Sequence, residues 1–171
     1  MKTGQNFGIL YCLLVICQVL LCNYFQFTPF AMMTILPAMV LCIPLNISTI
    51  GCMVIAFMSA LATDWLAEGV IGLNAAALLP VAILRKPLIR LFFGEDLITR
   101  QDSFSFRKNG AAKVNAAIMT SLAIFLVTYI MLDGAGTRPL WFNLARGAAS
   151  FACSWLISLI VVNTLTPDDR K

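Results

Sequence analysis

The chain contains no histidine and few charged residues. Of its 171 residues, 12% are charged and 60% are hydrophobic, whereas soluble domains typically have about 25% charged and about 45–50% apolar residues. This balance excludes an ordinary soluble domain and indicates a polytopic membrane protein. The lack of histidine also excludes any catalytic or metal site built on an imidazole.

The sequence also lacks the motifs of common enzymes. It has no glycine-rich phosphate loop, and its neighbouring acids Asp64 and Glu68 lie one helical turn apart instead of flanking a cleft. All six cysteines fall in apolar runs, and Cys12, Cys17 and Cys22 step by five residues, which turns their thiols off a common helix face. We therefore expect no enzyme, no cofactor and no metal site, and cysteines that pack as small hydrophobic residues.

Long apolar runs predict an all-α integral membrane protein. A spanning helix needs about 20 apolar residues, and the runs are apolar on every face, whereas strands of a membrane barrel alternate in polarity. The predicted spans cover about residues 7–25, 29–45, 50–67, 69–84, 112–132 and 142–165. We therefore expect one membrane domain over residues 1–171, a six-helix bundle with a kink near Pro37 in the second helix.

Basic residues orient this bundle. Seven of the twelve Lys and Arg residues lie between Arg85 and Lys113, and basic residues near span ends stay on the cytoplasmic side of a membrane. We therefore expect a cytoplasmic loop over residues 85–111 and both termini in the cytoplasm. Asp64 and Glu68 would then lie at the outer face.

The predicted cytoplasmic loop contains a short amphipathic segment and several basic residues. Residues 87–93 place apolar side chains around a single arginine, which predicts a short helix lying in the membrane interface. Its basic residues are expected to contact anionic lipid or a cytoplasmic partner. They are Arg85, Lys86, Arg90, Arg107 and Lys108.

Asp64 is the most conspicuous candidate for a functional residue. It lies near the end of a membrane-length apolar run, where an ionisable side chain is a functional candidate by default. Glu68 shares its helix face, and the repulsion between the two acids requires a cation or water. One interpretation is a contact between Asp64 and Arg146, at the start of the last span. The alternative is that both acids are hydrated at the level of the headgroups.

Small residues at four-residue spacing predict close helix packing. Ala56 and Ala60 share a face of the third span with Asp64, and Ala145 and Ala149 share a face of the sixth. These faces are expected to pack within the bundle or against another membrane protein.

A resemblance to a known family is carried by three short segments. Residues 56–64 (AFMSALATD), 72–77 (GLNAAA) and 84–85 (LR) resemble the central part of the rod shape-determining protein MreD family, in the form found in Bacteroidetes. Residues 28–30 and the six-span plan fit the same family. One departure is Ala60, where the family usually has glycine, and a slightly wider helix contact is expected there.

The resemblance implies a non-enzymatic subunit of the elongation machinery (the elongasome) in the bacterial inner membrane, which maintains cell shape and supports lateral peptidoglycan synthesis. It implies binding to an MreC-like membrane protein and, through it, to MreB, a RodA-type glycosyltransferase and a penicillin-binding transpeptidase. No nucleic acid is expected as a partner. Gly72 and Asn74 thereby join Asp64, Glu68 and Arg146 as candidates for structural or partner contacts.

The resemblance also supplies an alternative. The MreD family is similar in fold to the substrate-binding membrane subunits of energy-coupling-factor transporters. The alternative function is therefore a small-molecule, vitamin-type binding subunit of a transporter, with a pocket at the outer side near Asp64, Glu68 and Asn74.

Overall fold

The computed structural model describes residues 3–24, 32–94, 110–134 and 139–165, and every regular element within these ranges is helical. The elements are α1 (Thr3–Tyr24), α2 (Leu36–Cys42), α3 (Thr49–Thr63), a π-helical turn (Asp64–Glu68), α4 (Leu73–Phe93), α5 (Ala111–Gly134) and α6 (Leu140–Leu165). The all-α prediction is therefore confirmed for the described part of the chain.

Four helices of the described residues are long and apolar enough to cross a membrane. The stretches are Phe7–Tyr24, Thr49–Ala67, Ala111–Asp133 and Trp141–Leu165. They coincide with the first, third, fifth and sixth predicted spans, and they indicate a multi-pass membrane protein. The count of six spans is wrong, because the predicted spans over residues 29–45 and 69–84 are not among them. The outer-face position of Asp64 depended on the span over residues 69–84, so the four candidate spans do not support that position.

The second predicted span is replaced by a short buried helix. α2 has seven residues, about 10 Å at 1.5 Å per residue, whereas the hydrocarbon layer is about 30 Å thick. Pro37 lies in its first turn, where the missing N–H costs nothing, and Pro44 follows its end. The prolines therefore bound a helix instead of kinking one. Every residue of α2 is buried, and the helix contacts all five others.

A non-helical segment, residues 32–35, leads into α2. Ser150 and Ser154 of α6 accept hydrogen bonds from the N–H groups of Met32 and Thr34, each at 2.9 Å. The Ser154 hydroxyl also donates to the carbonyl of Met32 at 3.2 Å. Non-helical backbone is tolerated inside a membrane protein where protein groups satisfy it. The serines of α6 therefore make this segment possible.

Gln18 of α1 holds the same segment from the opposite side. Its side-chain oxygen accepts from the N–H of Ile35 at 2.8 Å, and its amide nitrogen donates to the carbonyl of Met33 at 3.2 Å. Gln18 is fully buried, so these bonds form in a region of low dielectric where an unmade bond is costly. α1, α2 and α6 are thereby tied together.

α4 extends well beyond the predicted fourth span. It runs for 21 residues, with Pro80 and Pro87 inside it. It ends at Gly94, which has a φ of 78° and whose N–H bonds to the Arg90 carbonyl at 3.0 Å. The predicted loop therefore does not begin at residue 85, and residues 87–93 continue α4 instead of forming a separate interfacial helix. Burial of Leu88 and Ile89 next to Pro87 offsets the hydrogen bond that the proline removes.

The outward faces of the bundle are apolar. On α1, the side chains of Ile9, Leu13, Ile16 and Leu20 are 49–70% exposed and lie one above another at helical spacing. Lipid tails are as apolar as these side chains, so such a face is stable in a bilayer. α4 packs between α3 and α5, and α5 packs on α6.

Candidate structural site at the turn between α3 and α4

The carboxylate of Asp64 caps the start of α4. Asp64 is fully buried, and it accepts three backbone N–H bonds: from Gly72 at 2.9 Å, Asn74 at 3.1 Å and Ala75 at 3.3 Å. The first N–H groups of a helix have no partner within the helix, and a negative charge interacts favourably with this end of the helix dipole. The capping group of α4 is thus supplied by the preceding helix.

Two glycines shape the turn that allows this cap. Gly69 has a φ of 71° and Gly72 a φ of 97°, and the N–H of Gly69 bonds to the Asp64 carbonyl at 3.0 Å. A Cβ at either position would meet no atom within 4 Å. Glycine is therefore required for its backbone conformation and not for space. The role of Gly72 in the site is to let the chain turn back so that its own N–H reaches Asp64.

The predicted contact between Asp64 and Arg146 is wrong. Arg146 of α6 forms an ion pair with Asp133, near the end of α5, at 2.5 Å. The short α5–α6 connection brings these two side chains together, whereas the Asp64 carboxylate is occupied by donors of its own hairpin. Hydration of Asp64 among the headgroups is also excluded by its full burial. Glu68 ends the π-helical turn, and its side chain lies outside the described residues.

The predicted packing residues divide between α3 and α6. Ala56 and Ala60 of α3 are fully buried, whereas Ala145 is exposed and Ala149 half-buried. At Ala145 the predicted face of α6 therefore does not pack within the bundle, and its packing against another membrane protein stays a prediction. Three small polar residues at the same four-residue spacing are buried there instead: Ser150, Ser154 and Ser158. The same spacing is present in the sequence, and serine is among the small residues that allow helices to approach closely.

The basic residues predicted for a loop lie in two places. Arg85, Lys86 and Arg90 belong to α4: Arg85 is fully buried, Lys86 half-buried and Arg90 exposed. The loop position of Arg85 is wrong because the helix continues, and Arg85 follows Asn74 by about three turns on the same buried face. Arg107 and Lys108 lie outside the described residues.

Two side chains on this buried face of α4 have polar atoms without a hydrogen-bond partner among the described residues. They are the amide of Asn74 and the guanidinium of Arg85. The backbone N–H of Asn74 is bonded to Asp64, so only its side chain is unsatisfied. In the described ranges, no group of three or more Cys, Asp or Glu side chains lies close enough to hold a metal ion.

Comparisons of the chain with protein-family models, with curated proteins and with solved structures found no match.

Proposed function

We propose that this chain is a non-enzymatic scaffold subunit of the bacterial elongation machinery, of the MreD type. Its role is to maintain cell shape and support lateral peptidoglycan synthesis by binding an MreC-like membrane protein. Through that partner it associates with a RodA-type glycosyltransferase, a penicillin-binding transpeptidase and, indirectly, MreB. The proposal begins from the resemblance of residues 56–64, 72–77 and 84–85 to that family.

The observation that supports it is that two of these segments form one hydrogen-bonded unit. Asp64, the last residue of the first segment, binds the N–H groups of Gly72, Asn74 and Ala75 in the second. A carboxylate offers about four acceptor positions, and three of them are engaged here. An acid used in this way holds a hairpin in shape and is poorly placed for proton transfer, which favours an architectural role.

The proposed location is the inner membrane. The basic residues from Arg85 to Lys113 favour the cytoplasmic side for that part of the chain. With the four candidate spans found among the described residues, an even number, both termini would lie on one side, and we propose that this side is the cytoplasm.

Co-purification tests the proposal. The full chain is tagged in its native host, extracted in mild detergent and analysed for an MreC-like protein, with the tag alone as the control. We expect the MreC-like protein to be recovered, and cells depleted of the chain to lose their elongated shape and become round. Recovery of no such protein, with unchanged shape on depletion, would contradict the scaffold function.

One observation favours the alternative, a vitamin-binding transporter subunit. The Asn74 side chain is fully buried, and neither its oxygen nor its nitrogen has a partner among the described residues. Buried polar groups are rarely left unsatisfied, and a bound ligand is one way to satisfy this amide. Equilibrium binding of radiolabelled water-soluble vitamins to the purified chain and to Asn74→Leu distinguishes the two functions. Tight binding of a vitamin to the wild-type chain that is lost in Asn74→Leu would contradict the scaffold function and support the transporter function.

A further inference from the structure

The guanidinium of Arg85 is enclosed by the bundle. Arg85 lies in the second half of α4, and only 1% of it is exposed. None of its three side-chain nitrogens has an oxygen or nitrogen partner among the described residues, and the one group within hydrogen-bonding reach is the thiol of Cys52, whose sulfur is only a weak acceptor. Arginine stays protonated in proteins, so the group remains a cation even when it is buried.

No anion of the described residues compensates this charge. The titratable groups near enough to interact with the guanidinium are the thiols of Cys52 and Cys42 and the phenol of Tyr11, which are ordinarily neutral at neutral pH. The carboxylate of Asp64 is bound to the start of α4, and that of Asp133 to Arg146. A buried cation with no counter-charge and only a weak sulfur acceptor among the described residues is an unfavourable arrangement in a protein interior.

The surrounding charge is also positive. Lys86 is the next residue, and α4 contains no acidic residue. The guanidinium fork presents parallel N–H donors that match two oxygens of one oxyanion, a geometry that makes arginine the usual residue for phosphate recognition. Charge and donor geometry therefore point to the same class of ligand.

We infer that Arg85 binds an oxyanion of the phosphate class inside the bundle, next to α1, α2 and α3. The ligand supplies the negative charge and the oxygen acceptors that the described residues around Arg85 do not provide. Two sources offer this chemistry: the phosphodiester of an anionic lipid headgroup, and a free phosphate compound. The site lies about three helical turns from Asn74, so it is separate from the pocket of the transporter alternative.

Thermal unfolding of the purified full chain tests this inference. Wild type, Arg85→Met, Arg85→Lys and the control Lys86→Gln are compared in neutral detergent. Each is titrated with inorganic phosphate against sodium chloride of equal ionic strength. In a second arm, each is placed in lipid nanodiscs of phosphatidylcholine with or without phosphatidylglycerol. Arg85→Met removes the charge but keeps an unbranched apolar side chain, so the variant is expected to fold.

We expect the unfolding midpoint of wild type and Lys86→Gln to rise saturably by roughly 5 °C with one of the two anions. Arg85→Met should not respond, and Arg85→Lys should respond less because an ammonium lacks the fork. A response to inorganic phosphate identifies a free phosphate site, and a response to phosphatidylglycerol alone identifies a lipid headgroup site.

Two results would overturn the inference. One is that wild type responds to neither anion more than to chloride, and the other is that Arg85→Met responds as wild type does. If Arg85→Met cannot be purified, a response of Arg85→Lys as large as that of wild type would overturn the inference instead. The measurement does not involve the MreC-like partner, so this inference and the scaffold proposal can fail independently.

Discussion

Replacing Asp64 by alanine should destabilise the protein more than any ordinary loss of a helix cap. A cap at a solvent-exposed helix end contributes about 0.5–2 kcal/mol, because water partly replaces the lost side chain. Asp64 is fully buried and accepts three N–H bonds, and bonds to a charged group contribute about 1.5–3 kcal/mol each. These contributions are not additive, since the freed N–H groups share one site. We therefore expect Asp64→Ala to lower the free energy of unfolding by about 3–5 kcal/mol, as breaking a buried charged contact does.

Asp64→Asn should lower the free energy of unfolding by about half as much as Asp64→Ala, because the amide keeps one oxygen acceptor but carries no charge. The assay is unfolding of the full chain in mixed micelles by increasing denaturing detergent, followed by circular dichroism. Hydrogen exchange at the amides of Gly72, Asn74 and Ala75 reports on the site itself. The matched control is Asp133→Asn, which removes the same charge from a partly exposed ion pair and should cost less than about 1 kcal/mol.

The capping role would be refuted if Asp64→Ala and Asp133→Asn unfold at the same concentration of denaturing detergent. It would also be refuted if exchange at the first amides of α4 is as slow in Asp64→Ala as in wild type. Faster exchange confined to those amides, with a large loss of stability, is the expected combination.

Two further substitutions, each with a control variant, test the surrounding structure. Ser154→Ala should lower the free energy of unfolding by about 1–3 kcal/mol, because it leaves two backbone groups of residues 32–35 without their hydrogen-bond partner. The control Ser158→Ala should be nearly neutral, since that hydroxyl has no partner among the described residues. Equal unfolding curves for the two variants would exclude a clamp on residues 32–35 by the serines of α6. Gly72→Ala should cost about 1–3 kcal/mol because of its φ of 97°, and Gly8→Ala, in an exposed helix position, should be neutral or stabilise by up to about 1 kcal/mol. A neutral Gly72→Ala, measured in the same detergent titration, would contradict the strained turn.

The spans that the sequence predicted correctly are those in which length and polarity agree. Four stretches are apolar for a full membrane thickness, and no tertiary information is needed to find them. The predicted spans over residues 29–45 and 69–84 are wrong, because hydropathy does not determine the lengths of α2 and α4. α2 is too short to span but is buried on all sides, and α4 continues through Arg85 and Pro87, residues that normally end a span.

The sequence identified Asp64 as a candidate residue but not what it binds. Its partners lie eight to eleven residues later, and they come within reach only through the π-helical turn and the two left-handed glycines. The predicted membrane depth and the positive charge of Arg146 favour that residue instead. Arg146 has a nearer acid in Asp133, in a Leu-Asp-Gly sequence that marks the end of α5.

The clamp on residues 32–35 has a consequence for how the protein is made. Met32 and Thr34 bond to serines that lie 118 and 120 residues later in the chain, on the last of the described helices. Ribosomes deliver residues in order, so this stretch of backbone enters the membrane well before α6 exists. Until then those two N–H groups have neither helix nor serine as a partner. The clamp on residues 32–35 can therefore close only after α6 has been synthesised and has packed against α2.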